Sequence, residues 1–155
     1  MQYGVCAEPK DAAVLADAGF EFVELHVQRH LQPEEDEAAF LPQLARIRAA
    51  ALPCVAANSF IPARLKITGP HVDFDGLTRY VEVVCERARR ARIDTIVFGS
   101  GGARAIPEGF DRQRAWGQLV DFGRMLGPIA QRYGITIAVE PLNKGETNAL
   151  NATAD

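Results

Sequence analysis

Short apolar segments with a strand pattern alternate with longer amphipathic segments along the whole chain. Five segments have the strand pattern: 3–8, 22–27, 54–60, 95–100 and 136–141. Helical patterns separate them, and residues 148–155 are typical of the start of another helix. Regular alternation of this kind predicts a parallel sheet of the α/β class, whose strands are joined by right-handed helical crossovers.

The third and fourth helical patterns are the clearest. Apolar residues between Leu77 and Ala88 recur at spacings of three and four and form one helical face. The fourth pattern begins after Asp111, a favourable N-cap, and ends at Gly134, a residue type common just beyond a helix end. The second pattern contains Pro42, which would either kink that helix or divide it.

Two of the strand patterns carry charged residues on one face. Glu24 and His26 share a face of the second pattern, and aliphatic residues occupy the other face. Glu140 shares a face of the fifth pattern with small or polar residues. A charged side chain within a buried strand is costly unless it is paired or binds a ligand. These strands therefore favour a (β/α)8 barrel with a partly polar interior over the alternative, an open doubly wound sheet.

Composition narrows the class of protein. The chain has 155 residues, 48% of them hydrophobic and 24% charged, as is typical of a soluble domain with one core. The net charge of −3 argues against nucleic acid as a partner, because nucleic-acid binders carry a basic surplus. No apolar run approaches the ~20 residues needed to cross a membrane, and no signal peptide is recognisable. Cys6, Cys54 and Cys85 lack metal or disulfide spacing, so we expect buried, reduced thiols in a cytoplasmic protein.

Glu140 is the strongest candidate for chemistry. It ends a predicted parallel strand, and active sites of such folds lie at the carboxyl ends of the strands. A carboxylate at this place can bind a hard metal ion or move protons. The alternative is a structural carboxylate paired with an arginine. Glu146 follows on the next loop and could reach the same cavity.

Other candidate residues follow the second, third and fourth strand patterns. In residues 99–104, GSGGAR, glycines such as Gly101 allow a tight turn whose N–H groups could hold an anion, and Arg104 would add a positive charge. The alternative is a flexible connection between strand and helix. His26 could be a wall residue or a ligand, and either Asn58 or Ser59 should face the cavity. The sequence has no Ser–His–Asp order and no zinc spacing.

Three segments, GFEFVEL, IVFGSGGARAIPEGF and ITIAVEPLNKGETN, resemble the sugar phosphate isomerase/epimerase family. That family has the xylose isomerase-like (β/α)8 TIM barrel and includes the ketose 3-epimerases. The resemblance implies a divalent metal, Mn²⁺ or Mg²⁺, held by a Glu ending strand five, an Asp, a His and a second Glu from strands six to eight. It also implies proton transfer between the two carboxylates through an enediolate. Glu140 matches the ligand of strand five, and Glu146 matches a Glu that contacts substrate.

The length of the chain limits what the resemblance predicts. A complete barrel needs ~250 residues, so we expect residues 1–155 to be one partial TIM-barrel domain, truncated after about strand five. It would hold strands one to five, helices one to four and the start of helix five. The remaining metal ligands would be missing, and we expect the isolated chain to be inactive. The predicted site residues are Glu140 for catalysis and metal binding, with Glu146, His26, Asn58, Gly101 and Arg104 for a sugar or sugar-phosphate substrate.

Two alternatives stay open. The chain could be a non-catalytic half-barrel that binds a small ligand or a complementing chain, and its open edges predict self-association. A hydrolytic barrel that cleaves phosphodiesters at abasic sites with a zinc cluster is less favoured. Only three histidines are present, and a basic surface is lacking. We therefore expect neither nucleic acid nor a membrane as a partner.

Overall fold

The computed structural model describes residues 1–153 and contains one sheet of five parallel strands in the order β1-β2-β3-β4-β5. The strands are β1 (Gly4–Cys6), β2 (Phe22–His26), β3 (Cys54–Asn58), β4 (Thr95–Phe98) and β5 (Thr136–Val139). Every strand pairs in parallel with the next one along the chain. A doubly wound sheet reverses its strand order, whereas the wall of a barrel does not. The uninterrupted order therefore confirms a partial TIM barrel.

Helices connect the strands on the outer face of the sheet. They are α1 (Ala12–Asp17), α2 (Glu37–Arg48), α3 (Phe74–Ala91), the short α4 (Gly101–Arg104) and α5 (Arg112–Tyr133). A 3-10 turn at Pro9–Asp11 and a π-helical turn at Val27–Leu31 complete the described helical segments. The predicted cap is confirmed, since the Asp111 carboxylate accepts a hydrogen bond of 2.7 Å from the N–H of Arg114. Pro42 lies inside α2, which it does not divide.

The hydrophobic core lies between the outer face of the sheet and the helices. Val23 and Leu25 of β2 are at most 1% exposed, and the predicted apolar face of α3 is buried in the same core. Glu24 and His26 alternate with these residues and point to the inner face, where they are partly exposed. β5 is different, because Val139 on its outer face is 55% exposed. α5 contacts β5, and Ile137 packs against the core, but Val139 stays exposed.

The end of the chain departs from the expected pattern. Residues 148–153 form bends and a turn rather than the start of a helix, and the last two residues of that prediction, 154 and 155, lie outside the described residues. Asparagine side chains satisfy the backbone here instead. The Asn148 amide accepts from the N–H of Ile106 at 2.8 Å and donates to its carbonyl at 2.9 Å. Side chains of this type compete with helical hydrogen bonding.

Two further findings concern expectations from composition. Cys54 and Cys85 are buried as expected, but the prediction of a buried thiol is wrong for Cys6, which is exposed on the inner face of β1. This face would be the interior of a closed barrel, and no described segment covers it. Within residues 1–153, no helix combines the length and the apolar character needed to cross a membrane.

Candidate functional site

A cavity of about 610 Å³ opens at the carboxyl ends of the strands. Glu140, Glu146, Asn58 and Gly101, four of the predicted site residues, line it together. The other lining residues are Cys6, Glu24, Gln28, Ser59, Ile61, Val97, Gly99, Ser100, Gly102 and Leu142. Carboxyl ends of parallel strands meet at one edge of a sheet, so residues far apart in sequence come together here.

Glu140 lies directly after β5, and its backbone continues the strand pairing with β4. Its N–H donates to the Phe98 carbonyl at 3.2 Å. Its carboxylate lies against Gly99, where an added Cβ atom would overlap the carboxylate oxygen Oε2. Among residues 1–153, no arginine forms a salt bridge with this carboxylate, so the alternative of a paired structural carboxylate gains no support. The carboxylate is exposed to the cavity.

Glu24 brings a second carboxylate to the cavity, on the inner face of β2. The Asn58 amide donates to Glu24 Oε1 at 2.7 Å and to the Cys6 sulfur at 3.2 Å. The Cys6 thiol in turn donates to the same oxygen of Glu24 at 3.4 Å. Partial desolvation of the sulfur and the adjacent Glu24 raise the pKa of the Cys6 thiol. This thiol therefore stays protonated at neutral pH and acts as a hydrogen-bond donor rather than as a nucleophile.

Arg104 does not line the cavity. Its side chain is 0% exposed, and its guanidinium donates to the carbonyls of Phe98 at 3.1 Å, Glu140 at 2.8 Å and Leu150 at 3.3 Å. Burial lowers the pKa of Arg104, while the charges of Glu140 and Glu146 raise it. The predicted contact of Arg104 with substrate is not available in this arrangement, because the guanidinium is bound to the backbone below the site.

The glycines of residues 99–104 are explained by close packing. An added Cβ atom at Gly102 would lie 2.7 Å from the Cβ of Ala63, and one at Gly101 would lie 3.0 Å from the Glu146 carbonyl. Larger residues at these positions would push away the loops that follow β3 and β5. The segment therefore holds three loops together at the mouth of the sheet.

His26 belongs to a neighbouring cavity of about 410 Å³, which shares Cys6, Glu24 and Asn58 with the main one. Burial lowers the pKa of His26. Its Nδ1 atom is buried without a hydrogen-bond partner among the described residues. His30, which sequence analysis left without a role, is 3% exposed and its Nε2 lies 3.0 Å from Glu8 Oε2. His30 and Glu8 both line this second cavity.

Glu146 reaches the main cavity from the loop after β5. The Asn143 amide donates to Glu146 Oε2, and the Asn143 carbonyl accepts from the N–H of Glu146 at 3.0 Å. Glu140 and Glu146 thus share one cavity, as the resemblance implies. Across residues 1–153, however, no group of three or more His, Cys, Asp or Glu side chains could hold a metal ion. The described residues therefore do not form the predicted Mn²⁺ or Mg²⁺ site on their own.

Glu24 and Gln28 are the main residues that sequence reasoning did not assign to the site. The sequence does indicate Glu24, because it is a carboxylate on the polar face of the second strand, as Glu140 is on the fifth. No such signal exists for Gln28. It lies in the π-helical turn, and its amide donates to the Ser59 carbonyl at 2.8 Å. Backbone φ is positive at Ser59, so this hydrogen bond stabilises an uncommon turn.

The fold is similar to that of several solved sugar epimerases. A structure of D-psicose 3-epimerase in the presence of D-fructose has a TM-score of 0.77 at 16% identity, covering 99% of this chain and 57% of that one. The Clostridium cellulolyticum H10 D-psicose 3-epimerase with D-tagatose has a TM-score of 0.74 at 16% identity. The match covers 97% of this chain and 55% of that one. The 3-keto-D-glucoside 4-epimerase of E. coli has a TM-score of 0.63 at 19% identity, and the match covers 92% of this chain and 56% of that one. This chain thus spans about half the length of these proteins.

Comparison with curated proteins found no match. The family model described as xylose isomerase-like TIM barrel matches residues 12–155, nearly the whole chain. The strand order, the helices on the outer face and the cavity at the carboxyl ends of the strands agree with that description. The chain belongs to the xylose isomerase-like TIM barrel family.

Proposed function

We propose that this chain contributes part of the catalytic site of a sugar isomerase or epimerase that works by proton transfer. The observation that carries the proposal is Glu140, whose carboxylate lies at the end of β5 on a cavity of about 610 Å³. Glu24 and Glu146 bring two further carboxylates to the same cavity. Proton acceptors and hydrogen-bond acceptors for hydroxyl groups are therefore concentrated at one place.

Family membership and the solved relatives support this proposal. The similar structures are described as epimerases of D-psicose and of a 3-keto-D-glucoside, and another is a mannonate dehydratase from Streptococcus suis. At 16% identity or thereabouts they establish the fold alone. Related barrels with the same fold catalyse different reactions. The proposed activity therefore depends on the position of Glu140 rather than on the fold.

In the proposed reaction, Glu140 removes the proton from the carbon next to the sugar carbonyl. The electrons of the broken C–H bond form the C=C bond of an enediolate, and the former carbonyl oxygen takes the negative charge. The protonated Glu140 then returns a proton to the same carbon. Return from the opposite face, by a second acid, would invert that carbon. A divalent ion would stabilise the enediolate oxygens, but the described residues do not fit it and no step is assigned to it.

This assignment makes a testable prediction about isotope exchange. A single proton-transfer carboxylate can exchange a proton without inverting the carbon. The isolated chain is expected to be inactive as an epimerase, because the second acid is missing, but it should still exchange a proton. In D₂O we expect slow entry of deuterium at C3 of D-fructose, measured by proton NMR, without accumulation of the epimer. Glu140→Gln should reduce exchange to the rate without protein, because an amide cannot accept the proton.

The matched control is Glu108→Gln, which removes an equal charge from an exposed position outside the cavity. This variant should exchange at the rate of the unmodified chain. If no deuterium enters above the rate without protein, or if Glu140→Gln exchanges normally, Glu140 does not have the proposed role.

A second candidate is a half-barrel without turnover that binds a sugar or a complementing chain. The exposed apolar residues Tyr3, Val14 and Val139 favour it, because they lie just before the first strand, on α1 and on the last strand. Here sugar binding would persist in Glu140→Ala, and no deuterium would enter at C3 in the unmodified chain.

A further inference from the structure

The side chains that line the main cavity carry negative charge without a compensating cation. Glu24, Glu140 and Glu146 line it, and among its described lining residues there is no lysine, arginine or histidine. The surface as a whole is also mildly acidic, with a net charge of −3. An anionic group placed here would be repelled by three carboxylates of the same charge. Solvent and salt screen this repulsion at the exposed Glu140 and Glu146, and less so at the partly buried Glu24.

The cation that the sequence places nearest to the cavity is not available to a ligand. Arg104 is fully buried and its two terminal nitrogens donate to three backbone carbonyls. Lys66 lies on the neighbouring loop, and its amino group donates to the Gly102 carbonyl at 2.8 Å. Lys144 is exposed and does not line the cavity.

The glycine-rich segment, residues 99–104, does not provide an anion-binding site that would offset this negative charge. Each of its glycines is accounted for by a neighbour that a side chain would displace: Glu140 at Gly99, the Glu146 carbonyl at Gly101 and Ala63 at Gly102. The helix that follows, α4, has four residues, which is too short to build a strong terminal dipole.

The inner wall of the cavity instead suits hydroxyl groups. Asn58 holds Glu24 through one carboxylate oxygen, Oε1, at 2.7 Å. No described protein group donates to its other oxygen, Oε2, and the residue is partly exposed to the cavity. A fixed carboxylate oxygen of this kind accepts hydrogen bonds from neutral hydroxyl donors, and such charge-assisted bonds are stronger than neutral ones. The Gln28 amide and the Ser59 hydroxyl are further polar groups on the same wall.

We propose that the cavity takes an uncharged, polyhydroxylated ligand and selects against its phosphorylated form, with Glu24 as the specificity-determining carboxylate. This inference rests on the proposed function and names its substrate class. The proposed role of Glu24 is independent of the proton-transfer role of Glu140. The three carboxylates should weaken binding of a sugar phosphate by at least about tenfold relative to the free sugar.

The test compares two ligands on the full chain and on one variant. D-Fructose and D-fructose 6-phosphate are titrated separately, and binding is followed by ligand-observed NMR. We expect D-fructose to bind more tightly by at least about tenfold, and this ratio should shrink as salt screens the carboxylates. In Glu24→Gln the ratio should fall, because D-fructose loses a charged acceptor while the phosphate loses a repulsive partner.

The matched control is Glu35→Gln, which removes the same charge from an exposed position outside the cavity and should leave the ratio unchanged. Proportional weakening of both ligands in Glu24→Gln would indicate a structural role alone and would overturn the proposal. Equal or tighter binding of D-fructose 6-phosphate, or no binding of either sugar, would overturn it as well. Failure of the proposed function looks different, since D-fructose would then bind with the expected selectivity but exchange no deuterium.

Discussion

At the scale of single residues, Gly99 decides where the carboxylate of Glu140 can lie. An added Cβ at Gly99 would overlap Glu140 Oε2, the end of a flexible side chain that can turn away. Gly99→Ala should therefore cost little stability but displace the carboxylate from the cavity. We expect deuterium exchange into D-fructose to fall at least about tenfold, since small misplacements of a catalytic group have large effects, with the midpoint of urea unfolding nearly unchanged.

Gly117→Ala is the matched control for this experiment. Gly117 lies in α5 with no atom within 4 Å of an added Cβ. Alanine there should raise the free energy of unfolding by about 0.5–1 kcal/mol, because it favours helix more than glycine does. Exchange should be unaffected. Normal exchange in Gly99→Ala would show that the carboxylate does not need the space that Gly99 leaves.

The sequence indicates some of the residues that line the cavity, but it does not show what other residues contact, for physical reasons. The sequence singles out Glu140 because a charged side chain at the end of an apolar strand is costly unless it is paired or binds a ligand. The sequence predicts a substrate contact for Arg104, because it does not reveal whether a guanidinium reaches a ligand or the backbone. Glu24 has the same strand signal as Glu140, but its partner Asn58 lies 34 residues away. That pairing depends on the register of β2 against β3.

At the scale of secondary structure elements, Arg104 fastens the ends of β4 and β5 to the last described loop. Its hydrogen bonds reach the carbonyls of Phe98, Glu140 and Leu150. Lysine has a single amino group that cannot span these three acceptors. Arg104→Lys should lower the free energy of unfolding by about 2–4 kcal/mol, through buried carbonyls left without a donor. Urea denaturation followed by circular dichroism measures this change.

Arg89→Lys, at an exposed position of α3, provides the comparison and should change the free energy of unfolding by less than about 0.5 kcal/mol. If the two variants were equally stable, the contacts of Arg104 with the backbone would contribute little. Amide exchange should further show faster opening at residue 140 than in the centre of α3 when Arg104 is replaced.

The elements differ in how well the sequence predicted them. The strands and the long helices follow from hydrophobic period and caps, as Asp111 illustrates. The π-helical turn at Val27–Leu31 has no comparable signal, because it depends on tertiary contacts such as the His30–Glu8 pair. The helix expected from residue 148 does not form through residue 153, since Asn148 binds the backbone at Ile106 instead.

At the scale of the whole molecule, both edges of the sheet are open within the described residues. Val139 on β5 is 55% exposed, and Tyr3 before β1 is 62% exposed. Open strand edges with apolar neighbours promote association. We expect the sedimentation coefficient of the chain to rise with concentration. Val139→Lys should weaken this association, because lysine on an edge strand disfavours pairing with another strand.

Leu41→Lys is the control, since Leu41 is similarly exposed at 48% but lies on α2, away from both edges. It should associate as the unmodified chain does. A monomer at all concentrations would contradict this expectation. Alternation of strand and helix patterns alone leaves both a barrel and a doubly wound sheet open. The charged faces of the second and fifth strand patterns favour the barrel, whose strand order the structure has.

An amide NMR titration with D-fructose shows whether the cavity at the carboxyl ends of the strands is a sugar site. Glycine amide signals are well separated, and Gly99, Gly101 and Gly102 all line the cavity. We expect these three signals to shift on titration, while those of Gly117 and Gly127 in α5 stay unchanged. Shifts confined to other regions, or no shifts with D-fructose at all, would contradict it.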